Sequence, residues 1–125
     1  MAPPYTYSKL VRYISTLEYP FSKIIVSIEN STKSELGNSI PCLKIASKER
    51  PSRKAIFITA RQHPCETVGS YVCEHILKLL TNEDELSLQL LRKFTFFVVP
   101  MVNTDGVIHG NSRTNLLGYD LNRSW

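Results

Sequence analysis

The sequence has no apolar run that approaches the length of a membrane span, and its first residues have neither the basic nor the apolar segment of a secretory signal. Its three cysteines are odd in number and show no zinc-type spacing. There is no internal repeat or low-complexity tract, and 125 residues form one domain at most, or part of one. These absences indicate a cytoplasmic location, with no membrane partner and no disulfide framework.

Charge of one sign is only slightly in excess, because 15 Lys and Arg residues face 11 Asp and Glu residues and leave a net charge of +4. The positive side chains are scattered, apart from a cluster in residues 48–54. Such a cluster can meet nucleic acid or an acidic partner, but a solvated loop between two strands is the favoured interpretation. We therefore expect no nucleic-acid partner.

Hydrophobic spacing predicts a helix and then a hairpin in the first part of the chain. Apolar residues recur at helical intervals over residues 7–17, with Thr6 or Ser8 as the N-cap. Residues 24–28 and 43–45 alternate between apolar and polar positions, as half-buried strands do. The polar stretch between them reads as a hairpin loop.

Two later segments, residues 55–60 and 94–99, are apolar on both faces, as in central strands covered on both sides. Residues 66–80 between them predict a helix, and residues 84–93 a shorter one. The expected core-facing stripe of the longer helix contains Val68, Val72, Ile76 and Leu80. Strands joined by helices form a right-handed βαβ unit. The predicted fold class is therefore α/β: a mixed, mostly parallel central sheet flanked by helices, with an antiparallel hairpin at one side.

This arrangement places polar motifs on one rim of the sheet. In open α/β sheets, ligands bind beyond the carboxyl ends of the strands. His63 follows the first buried strand by three residues, and residues 103–106 follow the second. Both motifs should therefore lie on the same rim.

The rim carries a pattern that suits a metal. His63 and Glu66 are three residues apart, which at the start of a helix places both side chains on one face, and Pro64 suits the first helical position. Imidazole and carboxylate are zinc ligands, and a catalytic zinc has three protein ligands and a water. The pattern alone is weak, because a glutamate favoured by the helix dipole beside a surface histidine has the same spacing.

A third ligand is not evident within the chain. His75 points to the opposite side of the helix from Glu66, and Cys73 lies roughly 10 Å further along the axis. Cys65 points away around the turn. His109 lies on a loop in this prediction, so geometry does not exclude it.

The end of the sequence offers a charged fork suited to a carboxylate, formed by Asp120, Asn122 and Arg123. Together with the histidine and glutamate, this fork suggests zinc-assisted cleavage at the end of a peptide. For Arg123 alone, the alternative is a surface ion pair.

Four segments, residues 60–67, 100–107, 110–113 and 118–125, resemble the zinc metallocarboxypeptidases in the same order. The start of the chain, from Tyr5, is similar to the beginning of the catalytic domain in the cytosolic carboxypeptidase branch. That branch trims glutamates or a terminal residue from tubulin and other proteins. The resemblance covers essentially the whole chain. It implies Zn²⁺ as the cofactor, and peptide or protein C-termini as partners, possible acidic tubulin tails among them.

The resemblance also implies a role for each matching residue. His63 and Glu66 are zinc ligands, and Asp120 accepts a hydrogen bond from the other nitrogen of His63 and so fixes its tautomer. Arg113 stabilises the oxyanion of the tetrahedral intermediate. The residues that hold the terminal carboxylate of the substrate are Asn122 and Arg123.

Three positions depart from the family pattern. Cys65 stands where glycine is usual, and it is strained if the position needs a positive φ. Thr104 replaces the usual proline. Ser112 stands where the cytosolic branch often has tyrosine.

The same resemblance implies that a third zinc ligand (a histidine), a general-base glutamate and a substrate-contacting tyrosine lie downstream of Trp125. The last strands of the sheet lie there too. We therefore predict that residues 21–125 are the N-terminal part of a catalytic domain, incomplete at its C-terminal side, with an exposed sheet edge. Residues 1–20 form an introductory segment and helix.

Three interpretations remain at this point. The chain is part of a metallocarboxypeptidase, with little or no activity alone. Alternatively, it is a non-catalytic module that binds peptide C-terminal carboxylates through Arg113, Asn122 and Arg123. The third interpretation is a structural remnant without a ligand, which aggregates through its open sheet edge.

Overall fold

A computed structural model describes residues 3–18, 20–29 and 32–123 of the protein. No helix in these ranges is both long and apolar enough to cross a membrane. The elements within them are, in chain order, α1 (Tyr7–Ser15), β1 (Ile24–Glu29), β2 (Cys42–Ser47), β3 (Ala55–Thr59), α2 (Thr67–Thr81), α3 (Glu85–Lys93), β4 (Thr95–Val99) and α4 (Thr104–His109).

The strands form one mixed sheet in the order β1-β2-β4-β3. The predicted hairpin is present, with β1 antiparallel to β2, and β3 runs parallel to β4 with Ala55 opposite Thr95 and Thr59 opposite Val99. The predicted α/β class is confirmed. Parallel pairing is less extensive than predicted, because β2 is antiparallel to both of its neighbours and only β3 and β4 are parallel among the described strands.

The two apolar strands differ in burial. β4 lies inside the sheet, and four of its five residues are buried. β3 was also predicted to be central, but it lies at the edge of the described sheet, and Phe57 is 64% exposed. Ile56 and Ile58 pack against the hydrophobic core, so one face of β3 is covered and the face that carries Phe57 is not.

The helices begin and end close to their predicted limits. Thr6 caps α1, since its hydroxyl accepts a hydrogen bond from the backbone N–H of Lys9 at 3.2 Å. Asp84 caps α3 in the same way, through Ser87 at 2.8 Å. In α2 the predicted core stripe is wrong at its start: Val68 and Val72 are exposed. The residues that α2 buries are Ser70, Cys73, Leu77 and Leu80.

One hydrophobic cluster joins α1, α2, α3 and one face of the sheet, and Tyr5 is part of it. The hydroxyl of Tyr5 donates to the carboxylate of Glu74 in α2 at 2.7 Å. Burial, reinforced by this hydrogen bond, raises the pKa of Tyr5 well above its ordinary value. The segment before α1 is therefore tied to α2.

A second long-range tie starts at Glu83, between α2 and α3, where the backbone has a positive φ of 57°. The Glu83 carboxylate accepts hydrogen bonds from the hydroxyl of Ser22 and from the backbone N–H groups of Lys23 and Ile24. This single side chain thus fixes the start of β1 against the helical layer.

Candidate active site

The rim beyond β3 and β4 brings the predicted motifs together. Hydrogen bonds continue past both strands, from Val102 N–H to the carbonyl of Ala60 at 2.9 Å and from Asn103 N–H to the carbonyl of Arg61 at 3.0 Å. Gly106 lets the backbone of α4 lie close to Pro64 and Asn103. A Cβ atom there would lie 2.6 Å from Cγ of Pro64 and 2.5 Å from Oδ1 of Asn103, so no side chain fits.

The histidine and glutamate lie in a turn rather than in a helix. The N–H of Glu66 donates to the carbonyl of His63 at 3.2 Å, and α2 begins only at Thr67. The prediction that Pro64 occupies the first helical position is therefore wrong, although the turn still brings residues 63 and 66 together. The strain considered for Cys65 is absent, because Cys65 is not among the described non-glycine residues with positive φ.

Arg61 holds this turn, and the sequence analysis did not single it out. Its side chain is buried, and its Nε and Nη2 donate to the carbonyl of Pro64 at 3.0 and 2.6 Å. Its Nη1 donates to the carbonyl of Tyr5 at 3.0 Å and to Oγ of Ser70 at 3.2 Å. The backbone of Arg61 has a φ of 61°, a strained conformation for a residue with a side chain. Such strain persists where the surroundings over-determine it, as these contacts do.

The two nitrogens of His63 face two carboxylates. Nδ1 lies 3.0 Å from Oε1 of Glu66, and Nε2 lies 2.9 Å from Oδ1 of Asp120. The hydrogen bond with His63 is the largest cause that lowers the pKa of Asp120 to about 2. Asp120 is therefore ionised at neutral pH, so Nε2 carries a proton and donates it.

The pair formed by Nδ1 and Glu66 then needs a positive species between its atoms. With the proton on Nε2, the lone pair of Nδ1 faces the Glu66 carboxylate across 3.0 Å, and two acceptors attract each other only through a proton or a metal ion. The hydrogen bond with Glu66, and then that with Asp120, raises the pKa of His63, as expected where a proton fills this position. Zinc bonds of about 2.0–2.2 Å to both atoms are compatible with this separation, so the donor set fits Zn²⁺.

Arg113 lies beside the same carboxylate. Its Nε donates to Oδ2 of Asp120 at 2.8 Å, and its side chain is 55% exposed. The N–H of Asn122 donates to Oδ1 of Asp120 at 2.9 Å. The side chain of Arg123 is exposed, and its Nη1 donates to the carbonyl of Asn122 at 2.9 Å. Asp120 thus connects His63 to Arg113 and to the start of the predicted carboxylate-binding pair.

Within the described ranges, no group of three His, Cys, Asp or Glu residues could hold a metal ion. His109, left open as a third ligand, ends α4 instead of lying on a loop, and it joins no such group. Cys73 is buried in the core and His75 is exposed on α2. The helix α4 was not predicted. Asn103 begins it by accepting a hydrogen bond from the N–H of Gly106 at 3.0 Å.

Residues 10–125 match the family model described as zinc carboxypeptidase. The chain is 35% identical to mouse cytosolic carboxypeptidase 6 over 131 residues, covering 98% of the chain and 23% of the mouse protein. A metallo-carboxypeptidase structure from Burkholderia cenocepacia superimposes with a TM-score of 0.87 at 30% identity, covering 98% of this chain and 33% of that one. For a metallo-carboxypeptidase from Pseudomonas aeruginosa in complex with (2-guanidinoethylmercapto)succinic acid, the TM-score is 0.82 at 31% identity, covering 98% and 32%. The chain therefore spans about a quarter to a third of the length of these relatives.

Proposed function

The chain belongs to the zinc carboxypeptidase family, and from that membership we propose that it supplies the metal-binding and carboxylate-binding part of an enzyme that hydrolyses C-terminal peptide bonds. In this proposal residues 21–125 are the N-terminal part of the catalytic domain, and residues 1–20 are an introductory segment and helix. We place the enzyme in the cytoplasm.

The observation that carries the proposal is the position of His63 between Glu66 and Asp120. His63 and Glu66 would hold Zn²⁺ through Nδ1 and a carboxylate oxygen, while Asp120 keeps the proton on Nε2 and so leaves the lone pair of Nδ1 available for the metal. A zinc ion bound by these residues would polarise the scissile carbonyl and activate a water.

The arginines act on the substrate in this proposal. A guanidinium has five N–H groups, and the contact with Asp120 engages Nε of Arg113, so the remaining N–H groups can donate to the oxyanion. Asn122 and Arg123 hold the terminal carboxylate, which a guanidinium can do with two parallel hydrogen bonds. We further propose that the substrates include acidic, tubulin-like tails that end in glutamate, a choice compatible with the net charge of +4.

Zinc calorimetry on the purified chain tests the metal site. Because the chain offers two ligands in this proposal, we expect weak binding that the His63→Ala substitution abolishes. His75→Ala, which removes an exposed histidine from α2, should leave the binding unchanged. Tight stoichiometric binding, or binding indifferent to His63→Ala, contradicts the proposed ligand set. The chain alone should show little or no peptidase turnover.

A second candidate function is the non-catalytic capture of peptide C-termini. It is favoured by the absence of a complete metal-ligand group from the described residues, whereas Arg113, Asn122 and Arg123 are all present at the rim. Titration with a peptide ending in glutamate, and with its C-terminal amide, tests the carboxylate-binding role that both candidates share. Metal-dependent turnover by a longer protein that contains this chain would then decide for the enzyme.

A further inference from the structure

The loop that carries Arg113 and Asp120 contains a turn built around Asn115, a residue with no role so far. Asn115 is 6% exposed, and its Oδ1 accepts hydrogen bonds from the N–H groups of Leu117 at 3.1 Å and Tyr119 at 2.9 Å. Its own N–H donates to the carbonyl of Tyr119 at 2.9 Å. One side chain therefore determines the path of residues 115–119.

This turn connects Arg113 and Asp120, which are hydrogen-bonded to each other at the rim of the sheet. Arg113 lies two residues before Asn115, and Asp120 directly follows Tyr119. The hydrogen bond from Arg113 to Asp120 closes the loop at its base. A change in the turn therefore alters the direction in which Arg113 points, and also the position from which residues 122 and 123 leave Asp120.

The side-chain amide nitrogen of Asn115 is hydrogen-bonded to a residue that is distant in the sequence. Its Nδ2 donates to Oε1 of Glu35 at 3.0 Å, across 80 residues of sequence. Glu35 lies in the loop between β1 and β2, and Asp105 fixes that loop. The buried Asp105 carboxylate accepts hydrogen bonds from Ser34 at 2.7 Å and Asn38 at 2.7 Å, as well as from the N–H of Leu36 at 3.0 Å.

We propose that Asn115 is a positioning residue for the loop of residues 113–123, which carries Asn122 and Arg123, and that Glu35 sets the orientation of Asn115 from the β1–β2 loop. The proposal rests on the proposed function, since it assigns Asn115 an effect on how Asn122 and Arg123 meet the terminal carboxylate of a substrate. The polarity of the contact makes it testable, because the donor is on Asn115 and the acceptor is on Glu35.

The test replaces the donor on residue 115 with an acceptor, and then the acceptor on residue 35 with a donor. In Asn115→Asp, Oδ1 still accepts from residues 117 and 119, but the second oxygen faces the Glu35 carboxylate, and two acceptors repel each other. We expect roughly tenfold weaker binding of a peptide with a free C-terminus, the size of effect that loss of a buried hydrogen bond produces. In the double variant Asn115→Asp/Glu35→Gln the glutamine amide donates to the new carboxylate, so affinity should return. Glu29→Gln is the control for charge alone.

The readout is the calorimetric affinity ratio between the free and the amidated peptide. A merely structural role lowers both affinities alike, or lowers only the melting temperature, and either result overturns the inference, as does a failure of Glu35→Gln to rescue. In an Arg123→Ala background, Asn115→Asp should cause no further loss. If Asn115→Asp does not fold, Glu35→Ala at the exposed partner should reduce the ratio by about threefold. A wild-type chain that does not discriminate the two peptides refutes the carboxylate-binding function itself.

Discussion

Thr104 is a single residue whose environment disagrees with its chemistry. It is fully buried at the first position of α4, and its Oγ1 is the buried side-chain polar atom without a hydrogen-bond partner among the described residues. A buried hydroxyl without a partner is destabilising. The departure from proline noted in the sequence therefore has a structural cost, because proline suits this helical position and has no hydroxyl.

Replacing Thr104 with valine should raise the free energy of unfolding by about 1 kcal/mol, because valine has the same shape without the unpaired hydroxyl. Chemical denaturation measures the change. Thr81→Val is the matched control, since Oγ1 of Thr81 donates to the carbonyl of Leu77 at 2.8 Å and its removal should destabilise the protein. Two changes of the same sign would refute this explanation.

Asp105 predicts how stability depends on pH. Burial alone raises the pKa of Asp105, but the hydrogen bonds from Asn38, Ser34 and Leu36 outweigh it and hold the pKa below its ordinary value. The stability that this carboxylate contributes is therefore complete above the unfolded pKa of about 3.9 and is lost as the pH falls through the lower, folded value.

Asp105→Asn should cost about 1–3 kcal/mol at pH 7, because its amide nitrogen meets donors, and the deficit should shrink as the pH falls below 4. Urea titrations at pH 7, 5, 4 and 3 give the difference in the free energy of unfolding between the wild type and the Asp105→Asn variant. Glu49→Gln, an exposed carboxylate, serves as the control for lost charge. A deficit that stays constant down to pH 3 would rule out this role for Asp105.

At this scale, sequence analysis identified residues by chemistry and spacing, and it missed those defined by distant contacts. His63 and Glu66 were proposed because imidazole and carboxylate beyond a strand end suit a metal, and the role of Asp120 came from the resemblance of residues 118–125 to the zinc metallocarboxypeptidases. Arg61 and Asn115 were not, since their partners Tyr5 and Glu35 lie 56 and 80 residues away in the sequence. No local pattern reports such a contact.

Among the elements, the turn between β3 and α2 depends most on one side chain. Arg61→Lys keeps the charge but loses the planar fork that reaches three acceptors, and the buried ammonium cannot satisfy all of them. We expect a loss of about 2–4 kcal/mol in the free energy of unfolding, together with weaker zinc binding. Arg53→Lys in the exposed loop should change neither. If the Arg61→Lys variant has the same free energy of unfolding and the same zinc affinity as the wild type, the turn does not depend on the guanidinium.

Element limits followed from local signals, and element partners did not. The candidate cap Thr6 and the apolar periodicity gave α1, α2 and α3 to within about two residues, because capping and amphipathicity depend on residues close together in the sequence. The place of β3 at the edge of the described sheet was missed, since an apolar strand has the same composition at the centre and at an edge. The short helix α4 was missed because six residues hardly show a period.

For the whole molecule, the edge strand β3 is the segment that we expect to promote association between copies. Phe57 is 64% exposed on a strand that has a single neighbour among the described strands, and such edges promote association between copies. Phe57→Lys should reduce concentration-dependent self-association in sedimentation velocity. Val68→Lys, at a position that is 70% exposed on α2, adds the same charge away from the edge and should have little effect. An equal reduction of self-association by both variants would point to net charge instead.

A separate measurement tests the structural-remnant interpretation. A sharp, reversible thermal transition in a wild-type monomer would argue against it.

The long ties described above also set an order of assembly during synthesis. Tyr5 leaves the ribosome before its partner Glu74, which follows 69 residues later. The loop that holds Glu35 similarly precedes Asn115 by 80 residues. The earlier partner of each pair is therefore secured only after the later one has been made, and α1 emerges as an amphipathic helix before α2 is present to cover its apolar side. Until α2 has been translated, a nascent chain of this protein therefore exposes apolar surface of the kind that chaperones bind, whatever the stability of the finished fold.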